Sequence, residues 1–108
     1  MRVSNSGAAV VTAIAERMEF QGSNLRGERV GRALRRSFGT GRASRDTVDA
    51  MDAAWNADTL DYVVYSYATP IAWHDTVFGW HVPSDRYSVS TSRHQGVVRR
   101  SVPSAVSA

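Results

Sequence analysis

The apolar pattern of the chain changes its period near residue 61, and this change limits the folds open to it. From Asp61 onward, β-branched and aromatic residues recur with a period of two, which is typical of strands because successive side chains point to opposite faces. The runs begin at Tyr62, Ile71, Trp80 and Tyr87. Asp75 to Gly79 predicts a hairpin turn and Pro83 to Asp85 a second turn, so we expect a three- to four-stranded antiparallel meander.

Before residue 61, apolar residues recur every three or four positions, which is the period of a helix with one buried face. We expect helices over Gly7–Met18, with Ser6 as its cap, over Glu28–Phe38, and from Ser44 or Asp46 onward. Gly22–Gly27 is rich in glycine, serine and asparagine and is expected to be a loop. The sequence therefore predicts an α+β fold, in which N-terminal helices pack on the meander and a short C-terminal helix closes it.

A chain of 108 residues has the usual size of one domain. We expect a single α+β domain over residues 1–100 and a flexible tail over residues 101–108. The absence of cysteine excludes disulfides and thiolate chemistry. The most apolar stretch, Ala8 to Ala15, is too short to cross a membrane and fits an amphipathic helix better than a signal peptide.

All thirteen residues of the lysine and arginine class are arginines, and they are distributed unevenly. Residues 1–45 hold nine arginines against three acids, residues 46–85 hold seven aspartates and no arginine, and residues 86–108 hold four arginines and no acid. Two interpretations stay open. Basic and acidic helices can lie against each other with exposed ion pairs, or a basic surface can stay free for nucleic acid.

Arginines at outward positions of the second and closing helices are the candidate contacts to nucleic acid, because a guanidinium group matches the geometry of phosphate. They are Arg29, Arg32, Arg35, Arg36, Arg93, Arg99 and Arg100. Such contacts are mainly electrostatic, and the sequence identifies no residue that would read a base.

The closing helix is expected to begin near Ser92, with Gln95 in the reciprocal spacing of a capping box. Free backbone N–H groups at a helix N-terminus attract anions, which makes Ser92, Arg93 and His94 a candidate anion site. Capping alone also explains these residues. A hydrolase that uses Ser88 or Ser90 with His94 lacks a nucleophile-elbow sequence, so no catalytic residue is predicted.

The dipeptide Trp-His occurs twice across the predicted hairpin, at Trp73-His74 and at Trp80-His81. The two histidines with Asp75 could offer metal ligands, but their spacing matches no established zinc pattern. Strand alternation favours both tryptophans facing the core and both histidines facing solvent, and no metal or cofactor is expected.

The aromatic residues of the sheet have a second interpretation as a stacking platform for single-stranded nucleic acid. They are Tyr65, Tyr67, Trp73, Trp80 and Tyr87. A domain of this size needs large aromatic residues in its core, so core packing is the favoured role.

Three sequence blocks resemble a small uncharacterised domain found in actinobacteria and their phages. They are Tyr65 to Trp73 (YSYATPIAW), Trp80 to Pro83 (WHVP) and Tyr87 to Gln95 (YSVSTSRHQ), and the resemblance covers roughly residues 60–100. It implies a phage or actinobacterial protein of the host-cell cytoplasm and carries no assigned reaction.

Together these features predict a noncatalytic phage-type accessory protein that binds an anionic partner, above all nucleic acid, through arginine-rich helices. The alternative is a protein-interaction module that modulates a host factor, with the acidic helix Asp46–Asn56 or the aromatic sheet as its contact surface.

Overall fold

The computed structural model describes residues 3–5, 7–30, 41, 43–83, 89–102 and 106–107, and in this part of the chain six strands form one sheet between helices. The strands are β1 (Phe20–Gln21), β2 (Leu25–Arg29), β3 (Leu60–Ser66), β4 (Thr69–Asp75), β5 (Gly79–Val82) and β6 (Val106–Ser107). The helices are α1 (Ala8–Ala15), α2 (Arg45–Asn56) and α3 (Val89–Ser101). The predicted α+β class is confirmed, with more strands than expected.

The order of strands in the sheet is their order in the chain. Neighbours from β1 to β5 are antiparallel, as the meander prediction required, and β6 pairs in parallel with β5. The hairpin predicted at residues 75–79 is confirmed, since Asp75 pairs with Gly79. Gly79 has a φ of 85°, a left-handed conformation that glycine adopts without a steric penalty.

The two faces of the sheet carry separate apolar clusters. Helices α1 and α3 cover one face, where Ile14 and Val98 pack with Tyr62 and Val64 of β3. Helix α2 covers the other face, where its Met51 packs with Val63, Tyr65 and Trp73. Because alternate residues of β3 feed the two clusters, this strand is buried on both sides.

Helix α2 begins where its sequence predicts. The hydroxyl of Ser44 caps it by accepting a hydrogen bond from the backbone N–H of Thr47 at 3.2 Å. At the end of the helix, the N–H of Asp58 donates a hydrogen bond to the carbonyl of Trp55, and the N–H of Thr59 donates one to the carbonyl of Ala54. This pair of hydrogen bonds defines a Schellman motif.

Helix α1 is shorter than the Gly7–Met18 prediction. It ends at Ala15, and Arg17 follows with a φ of 53°, which leaves Met18 outside the helix and exposed. Gly7 occupies the N-cap position without a side-chain hydrogen bond, whereas the predicted cap, Ser6, lies outside the described residues.

Residues 22–24 of the loop predicted at Gly22–Gly27 do connect β1 to β2, but strand β2 takes its residues 25–27 and the start of the helix predicted at Glu28–Phe38. Its residues pair with β3 from Leu25 opposite Ser66 to Arg29 opposite Tyr62. Alternate positions are buried, and β3 supplies backbone partners for this polar segment, so tertiary pairing overrides the local turn signal. Residues 31–38 of the predicted helix lie outside the described residues.

Helix α3 begins at Val89, which was predicted to lie in a last strand, and it runs to Ser101. The residues predicted as a tail contribute Ser101 to α3 and Val106–Ser107 to β6. None of the helices within the described ranges has the length and hydropathy needed to span a membrane.

Candidate functional site

Helix α3 separates its residues into an inward and an outward face. Residues three, four or seven apart share a face of a helix; the buried residues recur at three and four, and the exposed residues at seven. The buried group is Thr91, His94, Gln95, Val97, Val98 and Ser101. The exposed group is Ser92, Arg93, Arg99 and Arg100.

A polar cluster beneath α3 fixes the helix to the sheet. Ser66, at the end of β3, is fully buried, and its hydroxyl lies 2.7 Å from Nδ1 of His94 and 3.1 Å from the hydroxyl of Thr91. Gln95 donates a hydrogen bond to the carbonyl of Pro83 at 3.1 Å. Burial lowers the pKa of His94, because desolvation disfavours the imidazolium form. A neutral histidine thus joins α3 to β3.

The predicted anion site is not formed, because the residues proposed for it point in different directions. Ser92 and Arg93 are exposed, whereas His94 is 7% exposed and bonds inward to Ser66. The capping box at Ser92 is also wrong, since the helix begins three residues earlier at Val89. Ser92 and Gln95 alone do not locate the start of the helix, because serine and glutamine also occur within helices.

The structure places the hydroxyl of Ser66 against His94. Ser88 and the side chain of Ser90 lie outside the part of the chain that the structure describes. Ser66 is fully buried, so a substrate in solvent cannot reach its hydroxyl, and the contact serves to hold the helix in place.

The outward face of α3 is basic along its length. Arg93, Arg99 and Arg100 are exposed, and the helix contains no acidic residue. Arg99 reaches the carbonyl of Pro83 at 3.4 Å, while the guanidinium group of Arg100 lies back over Gly96, 3.7 Å from where a Cβ would stand. Arg99 and Arg100 also occupy the last turn, where cations interact favourably with the helix dipole.

The acidic helix α2 lies on the opposite face of the sheet from α3. Asp46 and Asp49 on α2 are exposed, and Asp49 lies 3.9 Å from Arg45 of the same helix. Because the sheet separates the two helices, the arginines of α3 do not face these acids. The interpretation that basic and acidic helices pack together therefore does not hold for α2 and α3.

The remaining predicted arginines fall in two places. Arg29 ends β2 opposite Tyr62, on the α1 and α3 side of the sheet, and it donates a hydrogen bond to the carbonyl of Arg17 at 3.2 Å. Arg32, Arg35 and Arg36 lie outside the described residues.

The two tryptophans of the hairpin lie on opposite faces of the sheet, so their predicted common orientation is wrong. Trp73 pairs with His81 and stacks on its ring at 5.4 Å, whereas His74 pairs with Trp80. A three-residue loop between Asp75 and Gly79 sets this register. An even number of loop residues would have placed both tryptophans on one face.

The histidines of the hairpin do not meet. Nδ1 of His74 lies 2.6 Å from the carboxylate of Asp61, on the opposite face from His81. Asp75 accepts hydrogen bonds from the backbone N–H groups of Val77 and Phe78. Within the described ranges, no three side chains of the histidine, aspartate and glutamate types are placed to hold a metal ion.

The stacking platform is likewise not present. Tyr65 and Trp73 are buried under α2, and Trp80 packs against the opposite cluster with Tyr62. Tyr67 is half exposed in the turn after β3, and Tyr87 lies outside the described residues.

An apolar groove that was not predicted from the sequence lies between α2 and the β4–β5 hairpin. It has a volume of about 470 Å3, and its walls include Ala50 and Ala53 of α2 and Trp73 and His81 of the hairpin. Val77 and Phe78 at the hairpin tip also line it. Two large apolar residues inside a predicted turn were the one available signal, since turns favour small or polar residues.

A model of a family of unknown function, DUF8033, matches residues 8–100. The chain belongs to this family. No curated protein and no solved structure matches the chain. The DUF8033 match begins at α1 and covers both helical layers and strands β1 to β5, more of the chain than the resemblance over residues 60–100.

Two of the sequence blocks that carried the resemblance meet in the core of this DUF8033 domain. Ser66 belongs to the first block, and Thr91 and His94 belong to the third. These residues account for a structural contact between β3 and α3.

Proposed function

We propose that this DUF8033 protein is a noncatalytic, phage-type accessory protein of the host-cell cytoplasm, and that it binds nucleic acid through the outward face of α3. The supporting observation is a helix face with exposed Arg93, Arg99 and Arg100 and no acid, on the far side of the sheet from the acidic α2. Arginine clusters without nearby acids attract the phosphates of a nucleic acid backbone.

Arg93 and Arg100 stand seven residues apart, two turns along the same face of α3. The guanidinium group of Arg100 lies over Gly96, between them. Arg29 lies on the same side of the sheet, and Arg32, Arg35 and Arg36 remain contacts predicted from the sequence.

The binding test uses fluorescent double- and single-stranded DNA and RNA at about 50 and 200 mM salt. We expect saturable binding that weakens steeply with salt, because the contacts release counterions. The double variant Arg99→Ala/Arg100→Ala should bind more weakly and lower the salt slope by about 2 on duplex DNA, roughly one for each lost phosphate contact.

The control is Arg45→Ala, which removes one positive charge from α2, on the other face, where the double variant removes two from α3. The side chain of Arg45 is 91% exposed, so its loss should not disturb the fold. Absence of binding at the lower salt, or equal weakening by Arg45→Ala, would sink the proposal.

The groove favours a second candidate function, a protein-interaction module that modulates a host factor. Val77 and Phe78 are 67% and 74% exposed, and they stand beside apolar walls. Exposed apolar surface of this kind marks contacts with other proteins.

A further inference from the structure

The groove between α2 and the β4–β5 hairpin is held open by a well-ordered tip. One carboxylate oxygen of Asp75 accepts hydrogen bonds from the N–H groups of Val77 and Phe78, at 2.7 and 3.1 Å. Its other oxygen accepts from the hydroxyl of Thr59 at 2.9 Å, which joins the tip to the turn that follows α2. These bonds fix the backbone from which the two apolar side chains project.

The acceptor role of Asp75 is consistent with its charge state. Burial alone would raise the pKa of Asp75, but the hydrogen bonds from Val77, Phe78 and Thr59 outweigh it and lower the pKa below its ordinary value. The carboxylate is ionised at neutral pH, so the tip keeps its hydrogen bonds there.

The side of the groove formed by α2 has a surface on which a second helix can pack. Ala50, Ala53, Ala54 and Ala57 line it with the spacing of a single helix face. Such small side chains allow a second helix to approach closely, while the exposed Val77 and Phe78 offer larger surfaces for its apolar side chains. An amphipathic helix in an apolar groove is a common mode of recognition.

The negative charge beside the groove indicates the charge of the helix that would bind there. Asp46 and Asp49 precede Ala50 and Ala53 by one turn and are exposed. Helix α2 carries three aspartates against one arginine, Arg45, which lies 3.9 Å from Asp49. A second copy in a two-fold dimer through this face would bring the acidic helix against its own equivalent, and the same charge repels nucleic acid. A basic partner is complementary.

We propose that this groove docks an amphipathic helix of a partner protein, with leucine or aromatic residues on its buried face and lysine or arginine on its flanks. This inference rests on the second candidate function and is independent of nucleic acid binding by α3. The partner's apolar side chains cover Val77 and Phe78, and its basic residues lie beside Asp46 and Asp49.

The test uses two fluorescein-labelled synthetic peptides of about 18 residues, long enough to form a helix on the protein. Both carry leucines on one face, and their flanks carry lysine in one peptide and glutamate in the other. Fluorescence polarisation with the full chain should show saturable binding of the lysine peptide and at least about tenfold weaker binding of the glutamate peptide.

Variants assign the binding to the groove. Phe78→Ser removes an exposed tip residue, and Ala53→Gln places a longer side chain in the groove from an exposed position. Each should weaken the lysine peptide by about tenfold or more. Met18→Ser is the matched control, since Met18 is 45% exposed and does not line the groove, and binding should not change.

Other outcomes overturn the proposal in distinguishable ways. Equal binding of both peptides that still depends on Phe78 would keep a protein-interaction module and reject the basic partner. Failure of both peptides to bind at about 1 mM would reject the groove as a helix site altogether. A dimer in sedimentation that Phe78→Ser abolishes would assign the groove to a second copy.

Discussion

Among the described residues, Arg17, Asp58 and Tyr67 take left-handed φ values without being glycine. Arg17 and Asp58 have the same cause, because each occupies the position after the end of its helix, α1 or α2, that a Schellman motif requires to be left-handed. An aspartate holds this conformation at a steric cost that glycine does not have.

Asp58→Gly should therefore stabilise the protein by up to about 1 kcal/mol, less the extra freedom that glycine gives to the unfolded chain. Urea unfolding followed by tryptophan fluorescence measures the change. A lower midpoint in the variant would mean that the aspartate side chain contributes more than its backbone strain costs.

His94 links stability to pH in a direction that its burial fixes. The unfolded chain takes up a proton near the ordinary histidine value of about 6.5, whereas burial lowers the pKa in the folded chain. Between these two values the unfolded state binds more protons, so the free energy of unfolding should fall as pH drops below about 6.5.

The variant His94→Gln isolates this effect, because it keeps a polar group beside Ser66 and removes the titration. Urea unfolding of both proteins from pH 7.5 to 5 should show a loss with acidification that is smaller in the variant. Parallel curves for the two proteins would show that His94 does not carry the dependence.

At the scale of elements, the pairing of β1, β2 and β3 depends on the absence of a side chain at Gly27. A Cβ there would overlap the hydroxyl of Tyr62 and lie 2.5 Å from a ring carbon of Phe20. Neither ring can move freely, because both are buried and the Tyr62 hydroxyl donates to the carbonyl of Met18 at 2.6 Å.

Gly27→Ala is expected to destabilise the protein by about 1 to 3 kcal/mol through overpacking. Gly96→Ala is the matched control, since a Cβ there meets only ordinary contacts and alanine favours a helix by up to about 1 kcal/mol. Equal midpoints of urea unfolding for the two variants would contradict this account of β2.

Elements with a strong local signal could be predicted from the sequence, and those that depend on distant pairing could not. Helix α2 could be predicted from its Ser44 cap and its apolar period, and strands β3 and β4 from their runs of β-forming residues. Strand β2 has the sequence Leu-Arg-Gly-Glu-Arg, which becomes a strand because β3 pairs with it.

The candidate sites also combine predictable and unpredictable parts. The sequence shows that the region of α3 is rich in arginine. Which face the arginines share depends on the inward hydrogen bonds of His94 and Gln95 to residues 28 and 12 positions away. The groove needs α2 and the hairpin tip to lie side by side, which no local pattern encodes.

At the scale of the whole molecule, the sheet separates two chemically different sides. One side carries α3 with its arginines, and the other carries α2 with its aspartates beside an apolar groove. A nucleic acid on the first side and a basic helix on the second would not compete, so the two binding experiments should give independent results.

The short outer strands of the sheet have a consequence for how the protein behaves at high concentration. In the described part of the chain, the outermost strands β1 and β6 contain only two residues each, while the longer strands lie inside. A long edge strand has unpaired backbone N–H and C=O groups that can pair with further chains and start β-aggregation. Edge strands of two residues offer few such groups. Because β6 pairs with β5 at His81 and Val82, the hairpin exposes Phe78 at its tip while this part of β5 is shielded from pairing with strands of other molecules.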